Sequence, residues 1–187
     1  MPRPCWRLLG SVASYPASTN VLLLQAGLLY PYVNNFIVYK CPADKKMVNG
    51  APTIRSMSMN CWMDPLPISS WNYTRHYTGT PKQLTEFKTQ SGIISPSPSL
   101  AWVFIDENPF SINDGMFVCD PNVPVWIDIP ASYHNGACGL SFADGHSEIR
   151  AWMDPNILNC NAAPPASGTQ ASGPDLIWLQ QRSTSLN

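Results

Sequence analysis

The sequence predicts an α+β domain built on an antiparallel β-sheet, with one or two short helices and long Pro-rich loops. Three observations predict it. Nineteen prolines and eleven glycines punctuate the chain too often for long regular helices. Apolar runs of strand length recur between turn signals. One stretch, 138–152, combines alternation with the turn residues of a hairpin. The 187 residues suit one domain with a tail, long enough to bury a core without disulfides. Charged residues make up 12 % and the formal net charge is −1. A chain so poor in charge lacks the basic stripe that a nucleic-acid binder needs, so nucleic acid is not an expected partner.

The elements follow in order. Residues 1–20 form an N-terminal segment with no assigned role; Arg3 and Arg7 before LLGSVASYPAS imitate a secretory signal poorly. A globular domain is expected over 21–160. The apolar stretch 21–39 is interrupted by Gln25, Pro31, Asn34 and Asn35, so it is no membrane span. It reads as a short buried helix, a turn at Pro31, then a strand over 32–39. A second strand is expected over 53–61, where Met57, Met59 and Cys61 alternate with Ser58 and Asn60. Residues 62–79 read as an aromatic loop. Thr80-Pro81-Lys82-Gln83 carries a helix start, with Thr80 as cap, Pro81 in the first position and Gln83 completing a capping box. Leu84 and Phe87 would share that helix's inner face, and Gly92 would follow its end. The run 100–106, LAWVFID, reads as a central strand covered on both faces. A short strand follows at 115–119, after Asn113-Asp114-Gly115.

In CGLSFADGHSEIRAW (138–152), Asp144-Gly145 would make a two-residue type I′ turn, which needs positive φ at both positions. That turn pairs Ala143 with His146, Phe142 with Ser147, Leu140 with Ile149 and Cys138 with Ala151. Leu140, Phe142 and Ile149 would then share an apolar face. Residues 161–174 are a low-complexity linker, and 175–187 are a short docking segment, amphipathic over 175–182, with a tail.

Candidate chemistry is sparse. His134, Asp144 and His146 could converge on a metal if the chain returns to its own hairpin end, and an extracytoplasmic metal-dependent hydrolase would use them. The plainer reading makes Asp144 a turn residue and His146 a wet one. His134 then holds its loop by hydrogen bonding to Asp144 or nearby backbone. No cofactor is required, but Asp106, Glu107 and Asp114 could supply oxygens to calcium. Cys138 with His134 imitates a nucleophile pair, on the inward face of the hairpin. No nucleophile elbow, phosphate loop or dinucleotide fingerprint is present, and no catalytic residue is assigned. Trp62, Trp71, Tyr73 and Tyr77 would serve a small carbohydrate-binding module if exposed. Six cysteines, at 5, 41, 61, 119, 138 and 160, contain no Cys-x-x-Cys pair.

The stretch SYHNGACGLSFADGH places His134, then nine residues, then Asp144-Gly145, with His146 after it. It resembles the signature of the bacterial prepilin-type family named for a C-terminal His-(nine residues)-Asp-Gly motif, similar to pilins and type II secretion pseudopilins. VYKCPADKK (38–46), RSMSMN (55–60), FIDENPF (104–110) and PDLIWLQQR (174–182) agree in order. The resemblance covers about residues 28–182. The prepilin leader and long apolar helix with which members begin are not in this sequence, so the expectation is either the C-terminal globular part of a longer precursor or a member that has lost assembly. The resemblance implies a non-enzymatic, surface-exposed head outside the cytoplasm, partnered by other pilin-like subunits or secretion-system components. In such an oxidising setting a bridge is expected. Cys41 and Cys61 are the first choice, since they end two neighbouring expected strands and enclose a loop of about 20 residues.

Overall fold

The computed structural model describes residues 16–63, 84–160 and 169–186. In chain order the elements are α1 (Val21–Gln25), α2 (Tyr30–Val33), β1 (Met47–Val48), β2 (Ala51–Pro52), β3 (Met57–Asn60), β4 (Trp102–Asp106), β5 (Met116–Phe117), β6 (Val125–Trp126), β7 (Ala137–Phe142), β8 (Ser147–Ala151), α3 (Pro155–Leu158), β9 (Thr169–Gln170) and α4 (Asp175–Ser183). A five-stranded sheet of order β5-β3-β4-β7-β8 organises them. Its pairs are antiparallel except β3 with β5. The fold is α+β, with few helices and a mostly antiparallel sheet. Among the described residues no helix is long and apolar enough to cross a membrane.

Within LAWVFID, Trp102–Asp106 forms the central strand β4, but it is not covered on both faces as expected: Trp102 and Ile105 are buried, while Val103 and Phe104 are half-buried. β3 departs from expectation in the face it buries. Ser58 and Asn60 are turned inward, while Met57 and Met59 are half-buried on the opposite side. Hydrogen bonds explain the inversion. Asn60 donates to the carbonyls of Trp102 (3.0 Å) and Ser183 (2.9 Å) and accepts from Trp62 N–H (3.1 Å). A buried amide so satisfied carries little desolvation penalty. On this closed face Trp102, Ile105, Leu140 and Phe142 pack with Leu176 and Leu179 of α4. Trp102 Nε1 donates to Ser183 Oγ at 3.0 Å. The segment 175–182 therefore docks through its apolar stripe, as expected.

The hairpin forms, but its register is one residue away from the one expected. Leu140 pairs with Glu148, Gly139 with Ile149 and Cys138 with Arg150. Of the turn residues only Gly145 has positive φ (+96°), so a type I′ turn, which needs two, cannot form. The loop is Ala143–Asp144–Gly145, with Phe142 and His146 bonded across it. Because strand side chains alternate, the slip carries Ile149 to the face opposite Leu140, where it is 65 % exposed.

Three further expectations are corrected. Residues 32–39 are not a strand: Pro31 sits in the first turn of α2, Asn34 ends it at φ +47°, and Asn35 caps a 3₁₀ turn over Phe36–Tyr39. Two polar residues with local capping bonds outcompete the apolar run. The helix after Thr80 is absent from residue 84 onward, where Leu84 and Phe87 make bridges to Leu186 and Met63; Thr80 to Gln83 lie outside the described residues. Thr169–Gln170, expected as linker, pairs with β6.

Candidate metal centre

Three chain segments meet at the Asp106 end of β4. Asp106 pairs with Met57 of β3 and follows Ile105, so its side chain lies on the opposite face, beside Gly139. Its Oδ2 accepts from Gly139 N–H at 3.3 Å and its Oδ1 from Ser56 Oγ at 3.2 Å. Residue 139 has to be small, because a Cβ there would lie 3.2 Å from Asp106 Oδ2. Ser56 Oγ also accepts from Cys41 N–H at 2.7 Å, which fixes the start of the Cys41-Pro42-Ala43-Asp44 turn. Asp44 N–H closes that turn on the Cys41 carbonyl at 3.0 Å. Asp44 itself is engaged by Lys40 (3.4 Å) and by Lys46 N–H (2.8 Å).

His134 enters from the loop before β7. Asn135 and Gly136, both at positive φ, reverse the chain there, and His134 N–H donates to the Ala137 carbonyl at 3.2 Å. The ring lies 5.7 Å from that of Tyr133, whose hydroxyl donates to the Glu107 carbonyl. His134 Nε2 then stands 3.1 Å from Cys41 Sγ and 3.9 Å from Asp106 Oδ2. One donor atom from each of Cys41, Asp106 and His134 lies within 4.8 Å of the others. Cys41 and Asp106 are buried, whereas the imidazole is 35 % exposed.

Burial raises the pKa of the Cys41 thiol, against the opposing hydrogen bond from Ala43. Burial also raises that of Asp106, with Gly139 and Ser56 pulling the other way. A thiol pushed up is a poor nucleophile. A relay triad also needs the base and its orienting carboxylate on different ring nitrogens. Here the same Nε2 faces both Cys41 and Asp106, which is convergence on a point rather than a relay.

The candidates read from sequence are separated. Asp144 and His146 bond to each other (Oδ1–Nδ1, 2.6 Å) at the exposed hairpin end, where His146 stacks on Phe142. His134 lies at the other end of β7, a six-residue strand spanning about 20 Å. The expected bond from His134 to Asp144 is therefore not made; its partners are Cys41 and Asp106. An extended strand between motif His and motif Asp-Gly holds them apart. The calcium candidates also diverge. Asp106 faces His134, Glu107 accepts from Ser111 (2.9 Å), and Asp114 accepts from Met116 N–H (2.8 Å). Burial and the charge of Asp128 push Glu107 well above the usual carboxyl range. Cys138, which spacing offers as a nucleophile beside His134, is buried in the closed core. Cys41 and Cys61 are both free thiols, Cys61 packing beside Trp62 and Met63. Trp62 is buried and offers no sugar platform; Trp71, Tyr73 and Tyr77 lie outside the described residues.

Sequence reasoning missed Cys41 as a partner of His134, since 93 residues separate them. The signals were the Cys-Pro-Ala-Asp turn and the acid ending the central strand. Compared with protein-family models, curated proteins and solved structures, the chain matches none.

Proposed function

We infer that the chain is the globular head of a pilin-like or pseudopilin-like subunit, structural or adhesive in role and without turnover of its own. The motif resemblance suggests the class. The observation that supports it best is an apolar groove on the sheet face opposite Trp102. Met57, Met59 and Phe104 form its floor, and Leu24, Leu29 and Val33 stand among its walls, around a cavity of about 300 Å³. The rim exposes Tyr32 (89 %) and Val38 (50 %). Large exposed apolar patches mark protein interaction sites. The partners in this reading are other pilin-like subunits or secretion-system components, met outside the cytoplasm at the cell envelope.

Photo-crosslinking in the native host tests it. A photoreactive phenylalanine analogue would replace Tyr32 or Val38 in the full-length protein, with exposed Gln90 as control position. Adducts at 32 and 38 should contain a pilin-type subunit, identified by mass spectrometry. Adducts containing only unrelated proteins, or no adduct at all, would reject the reading.

A further inference from the structure

We propose that Cys41 Sγ, Asp106 Oδ2 and His134 Nε2 bind one divalent transition-metal ion, zinc before others, with water in the fourth position. The donors come from three elements: the turn after the 3₁₀ segment, the end of β4 and the loop before β7. A tetrahedral ion about 2.3 Å from sulfur and about 2.0 Å from nitrogen holds those two donors about 3.5 Å apart. The same geometry holds nitrogen and oxygen donors, each about 2.0 Å from the ion, about 3.3 Å apart; the observed 3.1 Å from Nε2 to Sγ and 3.9 Å from Nε2 to Oδ2 lie within about 0.6 Å of these values. The thiolate disfavours calcium and magnesium, which take oxygen ligands. Mixed sulfur, nitrogen and oxygen donors suit zinc.

The surroundings are arranged as around a ligand set. The carboxylate is oriented by Ser56 Oγ and Gly139 N–H, and the sulfur accepts from Ala43 N–H at 3.4 Å. Such outer bonds fix ligand direction. The sulfur and carboxyl donors are buried while the imidazole is partly open, which leaves a path for the ion and for water; binding displaces the thiol proton. Asp44, the nearest other acid, is held by Lys40 and Thr53. A bound ion would tie residues 41–44 to both β4 and the loop before β7. Its role is therefore a clamp on the turn that directly follows Val38 and Tyr39, which line the apolar groove.

Cobalt reports the site directly. The reduced full chain would be titrated with Co²⁺, then with Zn²⁺ in competition. One equivalent should bind, with a thiolate-to-cobalt band in the near ultraviolet that zinc abolishes. Cys41→Ser should lose that band. Asp106→Asn and His134→Gln should weaken zinc by more than the ten- to hundredfold typical of outer-shell changes. His146→Ala, at the exposed hairpin end, should bind as the parent does. Saturating zinc should raise Tm by about 5–10 °C, a rise absent in Cys41→Ser. Circular dichroism of each metal-free variant should match the parent, separating lost ligation from lost fold. A cobalt band that survives in Cys41→Ser, or no band in the parent, overturns the proposal.

Discussion

The two faces of the five-stranded sheet differ in how their side chains are finished. On one, polar residues point inward and are satisfied: Asn60 makes three bonds and Ser58 accepts from Arg55. Tryptophans fill the space between, with Trp102 edge-on to Phe117 and Trp126 edge-on to Trp152. On the other, Met57, Met59 and Phe104 line an open groove, Ile149 is exposed, and the Cys41–Asp106–His134 cluster stands at one end. Burial therefore does not follow hydropathy residue by residue here. A polar side chain with every bond made can occupy a core, and an apolar one can be left outside where a second surface is to cover it.

The comparison breaks or sharpens under substitution. Trp102→Ala on the closed face should cost about 3–5 kcal/mol in urea unfolding. Met59→Ala on the groove face should cost about 1 kcal/mol, since its side chain is already half-exposed. Equal losses would mean that the two faces are equivalent after all.

Acidity probes the loops that cover the closed face. Asp128 accepts from Val118 N–H at 2.6 Å. Burial, aided by the charge of Asp114, pushes its pKa from 3.8 up to about 7. The folded state then holds a proton that the unfolded chain releases. This contribution to stability is complete below about pH 4 and is lost as pH rises through about 7. Urea midpoints measured between about pH 4 and 8 should fall with pH, and Asp128→Asn should flatten part of that fall. A midpoint that rises over this range would contradict the burial of the acid.

Smaller effects belong to the hairpin. Gly145 has φ +96°, and a Cβ there would meet no atom within 4 Å, so only backbone strain opposes substitution. Gly145→Val should cost about 1–2 kcal/mol. Ile149→Thr should change stability by less than about 0.5 kcal/mol while lowering the binding of an apolar dye to the groove face. A loss above about 1 kcal/mol would place Ile149 in the core, as a two-residue turn would have it.

How far the candidate cluster could be read from the chain depended on distance. His134 stood out because a fixed spacing ties it to a turn. Its partners did not, because Asp106 reaches it only through the pairing of β4 with β7 and Cys41 only through the turn held on Ser56. The candidate metal set of His134, Asp144 and His146 is not brought together, for a local reason: most of the residues between His134 and Asp144 form one extended strand. Helix or strand over 32–39 was equally illegible, since Asn34 and Asn35 act through caps that no hydropathy pattern records.

The fold class, the central strand 102–106, the existence of the hairpin and the docking of 175–182 were determined by the sequence alone. Each rests on nearest-neighbour physics: apolar runs, alternation, turn residues and an amphipathic stripe. Tertiary structure alone decided which face of β3 is inside, the register of β7 on β8, and the meeting of Cys41, Asp106 and His134. Those outcomes depend on which hydrogen-bond partners and which positive-φ residue the packed chain supplies, and such partners come from segments far apart along it.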